Sequence, residues 1–374
     1  MAKKIVSAGT ICLDITPVFD QENPIELSQM FLPGKLREVG RAQVSAGGSV
    51  SNTGLAFKYF GSDVTIMAKA GDDCFGKMIM EIVDGYGVDN DIKISEGCDT
   101  AYSIVMAPPG VDRMFFHCSG ANDTFSYEDI DFSIVEEADL FHFGYPTILK
   151  KLYGNPQELI DIFKKAKELG TLTSLDLAVI SEKSEAANVD WRGIFRKLLP
   201  YVDYFVPSVE ELCFLIDRPR YKEWQKRANG GDVTEIINWQ EDVRPLADEL
   251  MRWGAKVVLI KCGTPGMYLR TNRSEHTKIA GEDLWEDIEL YERSYRADRF
   301  CSATGAGDVS IAAFLTAVLR GYTPQRCLQL AAGAGACCVT AYDALGGLIP
   351  FDELIARIES GWEKNYSKRT KYVR

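Results

Sequence analysis

The sequence predicts an α/β fold: a doubly wound, mostly parallel sheet with helices on both faces, and a small second β-sheet beside it. Three observations lead there. Short apolar runs alternate with longer amphipathic stretches through the middle of the chain, the pattern of parallel strands covered by helices. Glycines stand where those helices should end. Two stretches near the N-terminus break the alternation with β-prone pieces and no helical period.

The first run, Lys4-Ile5-Val6-Ser7-Ala8, is too short for a secretory signal and reads as a buried opening strand. Further strands are expected at 64–68, 140–143, 171–175, 204–206 and 257–261, with helices at 51–60, 76–86, 156–169, 209–215 and 243–253. Gly170 and Gly254 are placed to cap the helices that precede them. Residues 100–107 and 113–118 flank Pro108-Pro109-Gly110 and read as a hairpin. With residues 10–44 they are expected to form the small sheet, a lid over a pocket, the alternative being that they extend the main sheet, while the polar stretch 218–242 around Asn229-Gly230-Gly231-Asp232 reads as a surface insertion. No internal repeat or low-complexity linker divides the 374 residues, so one domain is expected.

Composition narrows the function. A formal net charge of -12 argues against a nucleic-acid binder, which needs surplus Lys and Arg for phosphate backbones. No run reaches the roughly 18 apolar residues of a spanning helix. Ten scattered cysteines without a C-x-x-C pair fit a reducing cytoplasm, and the adjacent Cys337 and Cys338 read as small buried residues.

The strongest chemical signal is Thr304-Gly305-Ala306-Gly307-Asp308, followed by the apolar run 309–319. Small residues let the backbone approach a ligand, and the free N–H groups of a helix mouth attract an anion. Such a pocket stabilises a phosphoryl group in transfer, and a neighbouring carboxylate can take the proton of an attacking hydroxyl. The other reading is that Asp308 merely caps the helix. A second cluster, Gly47-Gly48 with Asn52, permits close backbone contact and offers an amide to a polar ligand; Asn52 satisfying only its own neighbourhood is the alternative. A third, Lys261-Cys262-Gly263-Thr264-Pro265-Gly266, follows a strand, where open α/β sheets place ligands. It is not a Walker A loop, and no G-x-G-x-x-G near residue 10 supports a dinucleotide-binding dehydrogenase.

In this order the motifs resemble those of the ribokinase-like (PfkB) carbohydrate kinase family. Gly47-Gly48 with Asn52, Gly71-Asp72-Asp73 through Gly76 with Gly87-Val88-Asp89, Gly120-Ala121-Asn122, Gly263-x-x-Gly266 and Thr304 to Asp308 occur in the family's sequence over residues 5–350. The resemblance implies an ATP-dependent kinase that phosphorylates a hydroxyl of a monosaccharide or polyol. Asp308 is then the base and Gly305, Ala306 and Gly307 the anion hole. Asp14, Gly47, Gly48 and Asn52 correspond to sugar-binding positions. Lys261, Gly263, Gly266, Thr304 and Ser208 fall where the family contacts ATP, and the small residues 331–336 would pack near the adenine. Glu211 would organise Mg2+ through water. Ser208 stands where the family's N-x-x-E motif has Asn, and Ser302 where an Asp usually helps bind a monovalent cation, so little K+ dependence is expected. Asp176-x-Ala178-x-Ile180 departs from D-x-N-x-R, which leaves a nucleoside kinase as an alternative. A non-catalytic binding or regulatory protein is a further one.

Smaller features have plain expectations. His142 reads as structural and Arg113 as a solvated side chain. Lys364, Lys368, Arg369, Lys371 and Arg374 read as a frayed basic tail. Phe31, Phe115 and Phe116 of the small sheet are candidates to meet a second subunit in a homodimer.

Overall fold

The computed structural model describes residues 2–19, 30, 32–108, 113–272 and 282–365. Phe31, Pro109, Gly110 and the basic tail residues 368, 369, 371 and 374 lie outside them. The strands are β1 (Lys4–Gly9), β2 (Cys12–Pro17), β3 (Ala42–Gly47), β4 (Asp63–Gly71), β5 (Asp89–Ser95), β6 (Tyr102–Met106), β7 (Met114–Cys118), β8 (Leu140–Gly144), β9 (Leu172–Asp176), β10 (Tyr204–Phe205), β11 (Val257–Lys261), β12 (Met267–Thr271) and β13 (Glu289–Glu292). Among the described residues nine form one sheet in the order β13-β12-β11-β10-β9-β8-β1-β4-β5. From β11 to β5 every neighbour is parallel, and β12 and β13 continue antiparallel.

Strands buried on both faces need apolar residues at successive positions, and β11 shows it. Val257 and Leu259 enter one core and Val258 and Ile260 the other, all fully buried. The first core packs under the helices Gly48–Tyr59, Ala306–Leu319, Pro324–Cys338 and Phe351–Glu359; the second under Pro156–Glu168, Trp191–Leu198, Val209–Ile216 and Arg244–Arg252. Each such buried aliphatic side chain contributes about 1.5–3 kcal/mol. Gly170 and Gly254 take positive φ just past their helices, as expected of caps. Residues 218–242 contain the helix Arg218–Ala228, which buries Trp224; its indole N–H donates to Asp242 Oδ1 at 2.8 Å.

At the N-terminal edge of the strands Asp203 is bracketed by Lys167 Nζ and Lys256 Nζ, each at 2.7 Å, and accepts the Thr173 N–H at 2.8 Å. The two cations outweigh burial and hold its carboxyl below the usual range.

The small sheet has the order β3-β2-β6-β7. β2 leaves the end of β1 with only Thr10 and Ile11 between them. The Asn122 side chain donates to Ile11 O at 2.9 Å and accepts from Ile11 N at 3.4 Å. Thr10 O accepts from Val50 N at 3.1 Å, and Thr10 Oγ1 accepts from Ser49 N at 3.3 Å. The register aligns Ser45, Asp14, Ser103 and His117 in one row and Val44, Ile15, Ile104 and Phe116 in the next, on the opposite face. Phe115 and Phe116 therefore point to opposite sides.

Candidate active site

By the same pleat His142, Ser174, Asp176 and Lys261 share the face covered by the helices Gly48–Tyr59 and Ala306–Leu319. Gly144, Asp176 and Lys261 are the last residues of β8, β9 and β11, so the polar groups gather at the carboxyl ends of parallel strands. Lys261 Nζ lies 2.7 Å from Asp176 Oδ1, with both residues buried.

Asp308 is the third residue of the helix Ala306–Leu319 and is 4% exposed. It does not cap that helix, whose N-cap is Gly305 without a side-chain bond. Its Oδ1 accepts from the Tyr145 hydroxyl at 2.7 Å and from Thr53 Oγ1 at 3.4 Å, and its Oδ2 from Asn52 Nδ2 at 3.0 Å. Burial pushes the carboxyl up, while Lys261, Tyr145 and Asn52 oppose that rise.

The chain before Asp308 turns at Gly305, φ +74, where a methyl group would collide with Ala344. The Ala306 N–H closes this turn onto Ala303 O at 3.2 Å, so one of the three expected anion-hole residues spends its donor internally. Among the described residues no acceptor claims the N–H groups of Gly305, Gly307 or Asp308. Gly307 faces Lys261: a methyl there would stand 3.5 Å from Nζ. Ser302 Oγ accepts from Thr304 N at 3.1 Å and bonds Thr304 Oγ1 at 2.9 Å, which ties the approach to the loop.

Asp14 is buried on the small sheet, and a side chain at Gly47 would collide with its carboxylate. Burial pushes the Asp14 carboxyl up to about 6; bonds from Cys12 and Ser103 oppose this, and the charge of Asp308 adds to it. Gly48 takes φ +84 against the Thr10 carbonyl and opens the helix that carries Asn52 and Thr53. Asn52, a candidate sugar-binding residue, donates its amide to Asp308.

Ser208 caps the helix Val209–Ile216 and forms a reciprocal pair with Glu211, whose Oε2 accepts the Ser208 N–H at 3.0 Å. Burial raises the Glu211 carboxyl and Lys261 opposes it. Gly263 and Gly266, both at positive φ, make the tight turn between β11 and β12. The run 331–336 is largely buried in the first core, with Gly333 against Leu354 and Ile358 and Gly335 against Ser310.

This chain is similar to known proteins in both sequence and fold. The model of the pfkB family carbohydrate kinases matches residues 2–349. The chain belongs to that family. Among its relatives, a 2-dehydro-3-deoxygluconokinase of Thermoproteus tenax is 26% identical over 309 residues, 81% of this chain and 82% of that protein. A ribokinase of Arabidopsis thaliana, solved with ribose and ATP, superposes with a TM-score of 0.68 at 21% identity over 95% of this chain and 98% of that one. A putative ribokinase II from E. coli, solved with ATP and Mg2+, gives 0.68 at 19% identity over 96% and 99%. As a pfkB carbohydrate kinase the chain is a sugar phosphotransferase. Its helices include none among the described residues long and apolar enough to cross a membrane.

Of three side chains with plain sequence expectations in this kinase, His142 meets its expectation and Arg113 and Lys364 do not. His142 is structural: its Nδ1 bonds Ser174 Oγ at 3.1 Å, and burial with nearby Lys261 lowers it to about 3, so it stays neutral. Arg113 is half-buried over the Phe115 ring and close enough to Cys338 to oppose the rise of its thiol, so it is not a solvated side chain. Lys364 is docked rather than frayed, paired with Glu292 and lying over the Tyr295 ring. Tyr145 carries no short motif, and although Asp176 and Lys261 each stand in one, spacing gave no sign that the two pair.

Proposed function

We propose that this chain transfers the γ-phosphate of ATP to a hydroxyl of a monosaccharide or related polyol, with Asp308 as general base. The supporting observation is a buried carboxylate beside unclaimed N–H groups at a helix mouth, with the Lys261 ammonium next to Gly307. In the step, the Asp308 carboxylate takes the proton of the acceptor hydroxyl as its oxygen bonds to the γ-phosphorus. The bond from phosphorus to the bridging oxygen breaks, and the electron pair leaves with ADP. The N–H groups of Gly305 and Gly307 and the Lys261 ammonium stabilise the charge on the transferring group.

Asp14, with Gly47 and Gly48 giving it room, binds the sugar hydroxyls from the small sheet, which acts as a lid. Lys261, Gly263, Gly266 and Thr304 face the triphosphate, and Ser208 shapes the site by capping the helix that carries Glu211. Glu211 would hold Mg2+ through water, with phosphate oxygens as its other partners. When bound, Mg2+ neutralises phosphate charge. The names of the relatives, sugar kinases of several kinds, favour a monosaccharide over a nucleoside.

The test is Asp308→Asn, assayed by ADP release over a panel of sugars and nucleosides. Turnover should fall by a factor of about 10³ or more while ATP binding persists. Undiminished turnover would reject the base.

The row Val44, Ile15, Ile104 and Phe116 supports a homodimer through the lid: Val44 is 38%, Ile104 36% and Phe116 51% exposed, in line across four strands. Sedimentation of wild type at monomer mass over a wide concentration range would remove this pairing. The ten unpaired cysteines support a cytoplasmic location, which fractionation tests.

A further inference from the structure

Tyr145 stands one residue beyond β8, and its backbone is in the left-handed region, φ 67 and ψ 40. Three described non-glycine residues have positive φ; the other two are Asn229 and Asp287, types that tolerate that region far better than an aromatic does. An aromatic residue held there marks a position over-determined by its surroundings. The surroundings are visible. Gly144 lies against Ser49, where a side chain would collide, so the strand must end flush with the helix Gly48–Tyr59. The Tyr145 N–H donates to Asp176 O at 3.2 Å, and the Thr147 hydroxyl donates to Ala178 O at 3.1 Å, tying the turn to the end of β9. The forced turn delivers the phenol to Asp308 Oδ1 at 2.7 Å, while the ring remains half-buried.

The two oxygens of Asp308 are loaded unequally. Oδ1 receives both Tyr145 and Thr53, which fills its two lone-pair directions; Oδ2 receives Asn52 alone. We propose that Tyr145 is a positioning residue for the base: by occupying Oδ1 it fixes the carboxylate plane and leaves Oδ2 to receive the substrate proton. This rests on the reading of Asp308 as base. Nothing in the sequence motifs assigns Tyr145 a role, and its own proton does not move in the reaction.

A donor to the ionised form favours that form, so its removal makes Asp308 harder to ionise. Tyr145→Phe keeps the ring and the packing. In full-length protein labelled with carboxyl-13C aspartate, with Asp308→Asn identifying the resonance, the Asp308 titration midpoint should move up by about one pH unit. With the sugar that wild type phosphorylates best in the panel, kcat should fall about tenfold, the sugar KM should stay within about twofold, and the acid limb of the pH profile should rise in step. An unmoved midpoint overturns the proposal, as does a raised KM with an unmoved acid limb. Full turnover by Asp308→Asn would remove the base itself, whereas a shifted midpoint in Tyr145→Phe would still establish the contact, so the two failures are distinguishable.

Discussion

Gly305 and Gly307 lie two residues apart at the same helix mouth, yet the structure demands opposite responses to an added methyl group. At Gly305 the backbone is left-handed, φ +74, which costs an L side chain about 1–2 kcal/mol. The same methyl would run into Ala344. Ala344 cannot simply withdraw, because it is 6% exposed and its carbonyl accepts from Cys338 Sγ at 3.3 Å. Overpacking of a rigid neighbour adds about 1–3 kcal/mol. Gly305→Ala should therefore lose about 2–5 kcal/mol of stability, or shift the loop and lose turnover by roughly the 10²–10³ of one misplaced oxyanion donor. At Gly307 the backbone is helical, and the nearest atoms to the methyl are the flexible tip of Lys261 at 3.5 Å. Gly307→Ala should hold or gain up to about 1 kcal/mol from helix propensity while kcat falls, because the methyl fills space between the N–H groups and the ammonium. Urea unfolding read by tryptophan fluorescence, beside ADP release, separates the two. A Gly305→Ala protein as stable and active as Gly307→Ala would refute this account of the loop.

Three other outcomes follow from named contacts. Asp203→Asn leaves Lys167 and Lys256 without their anion and should cost about 3 kcal/mol near neutrality; because the folded carboxyl is depressed, the wild-type advantage is complete above about pH 4 and drains away as pH falls through the folded value. Equal urea midpoints for the two proteins at pH 7 would dismiss it. Asp14 is displaced upward to about 6, so its ionised form weighs on the fold as pH rises from about 4 to 6. Asp14→Asn should thus be more stable than wild type at pH 8 by roughly 2–3 kcal/mol, with the gap closing toward pH 4, and should bind sugar poorly; a variant less stable at pH 8 counts against it. Replacing K+ with a bulky organic cation should change turnover little, since Ser302 offers no carboxylate, and a large drop in the same assay would show that the loop binds the ion by other means.

The fold was largely readable because its strands are buried on both faces, and residues such as Val257 to Ile260 can serve little else. The glycine motifs were readable for a related reason: close backbone approach leaves few residue choices, as at Gly305 and Gly47. What sequence could not show were pairings made only by the fold. Lys261 and Asp176 meet across 85 positions, and Asn52 meets Asp308 across 256; each residue alone suggests a ligand contact. Tyr145 looked like one more aromatic after a strand. The polar stretch 218–242 hid its anchor because one buried tryptophan barely alters the composition of 25 residues.

The joint at Thr10 and Ile11 ties the small sheet to the main one. Both backbone groups of Ile11 are fastened to Asn122, and Thr10 is fastened to the start of the helix that steadies Asp308. One short joint therefore carries both the sheet that holds Asp14 and the helix that holds the Asp308 carboxylate, so a substitution at Asn122 would disturb the two together.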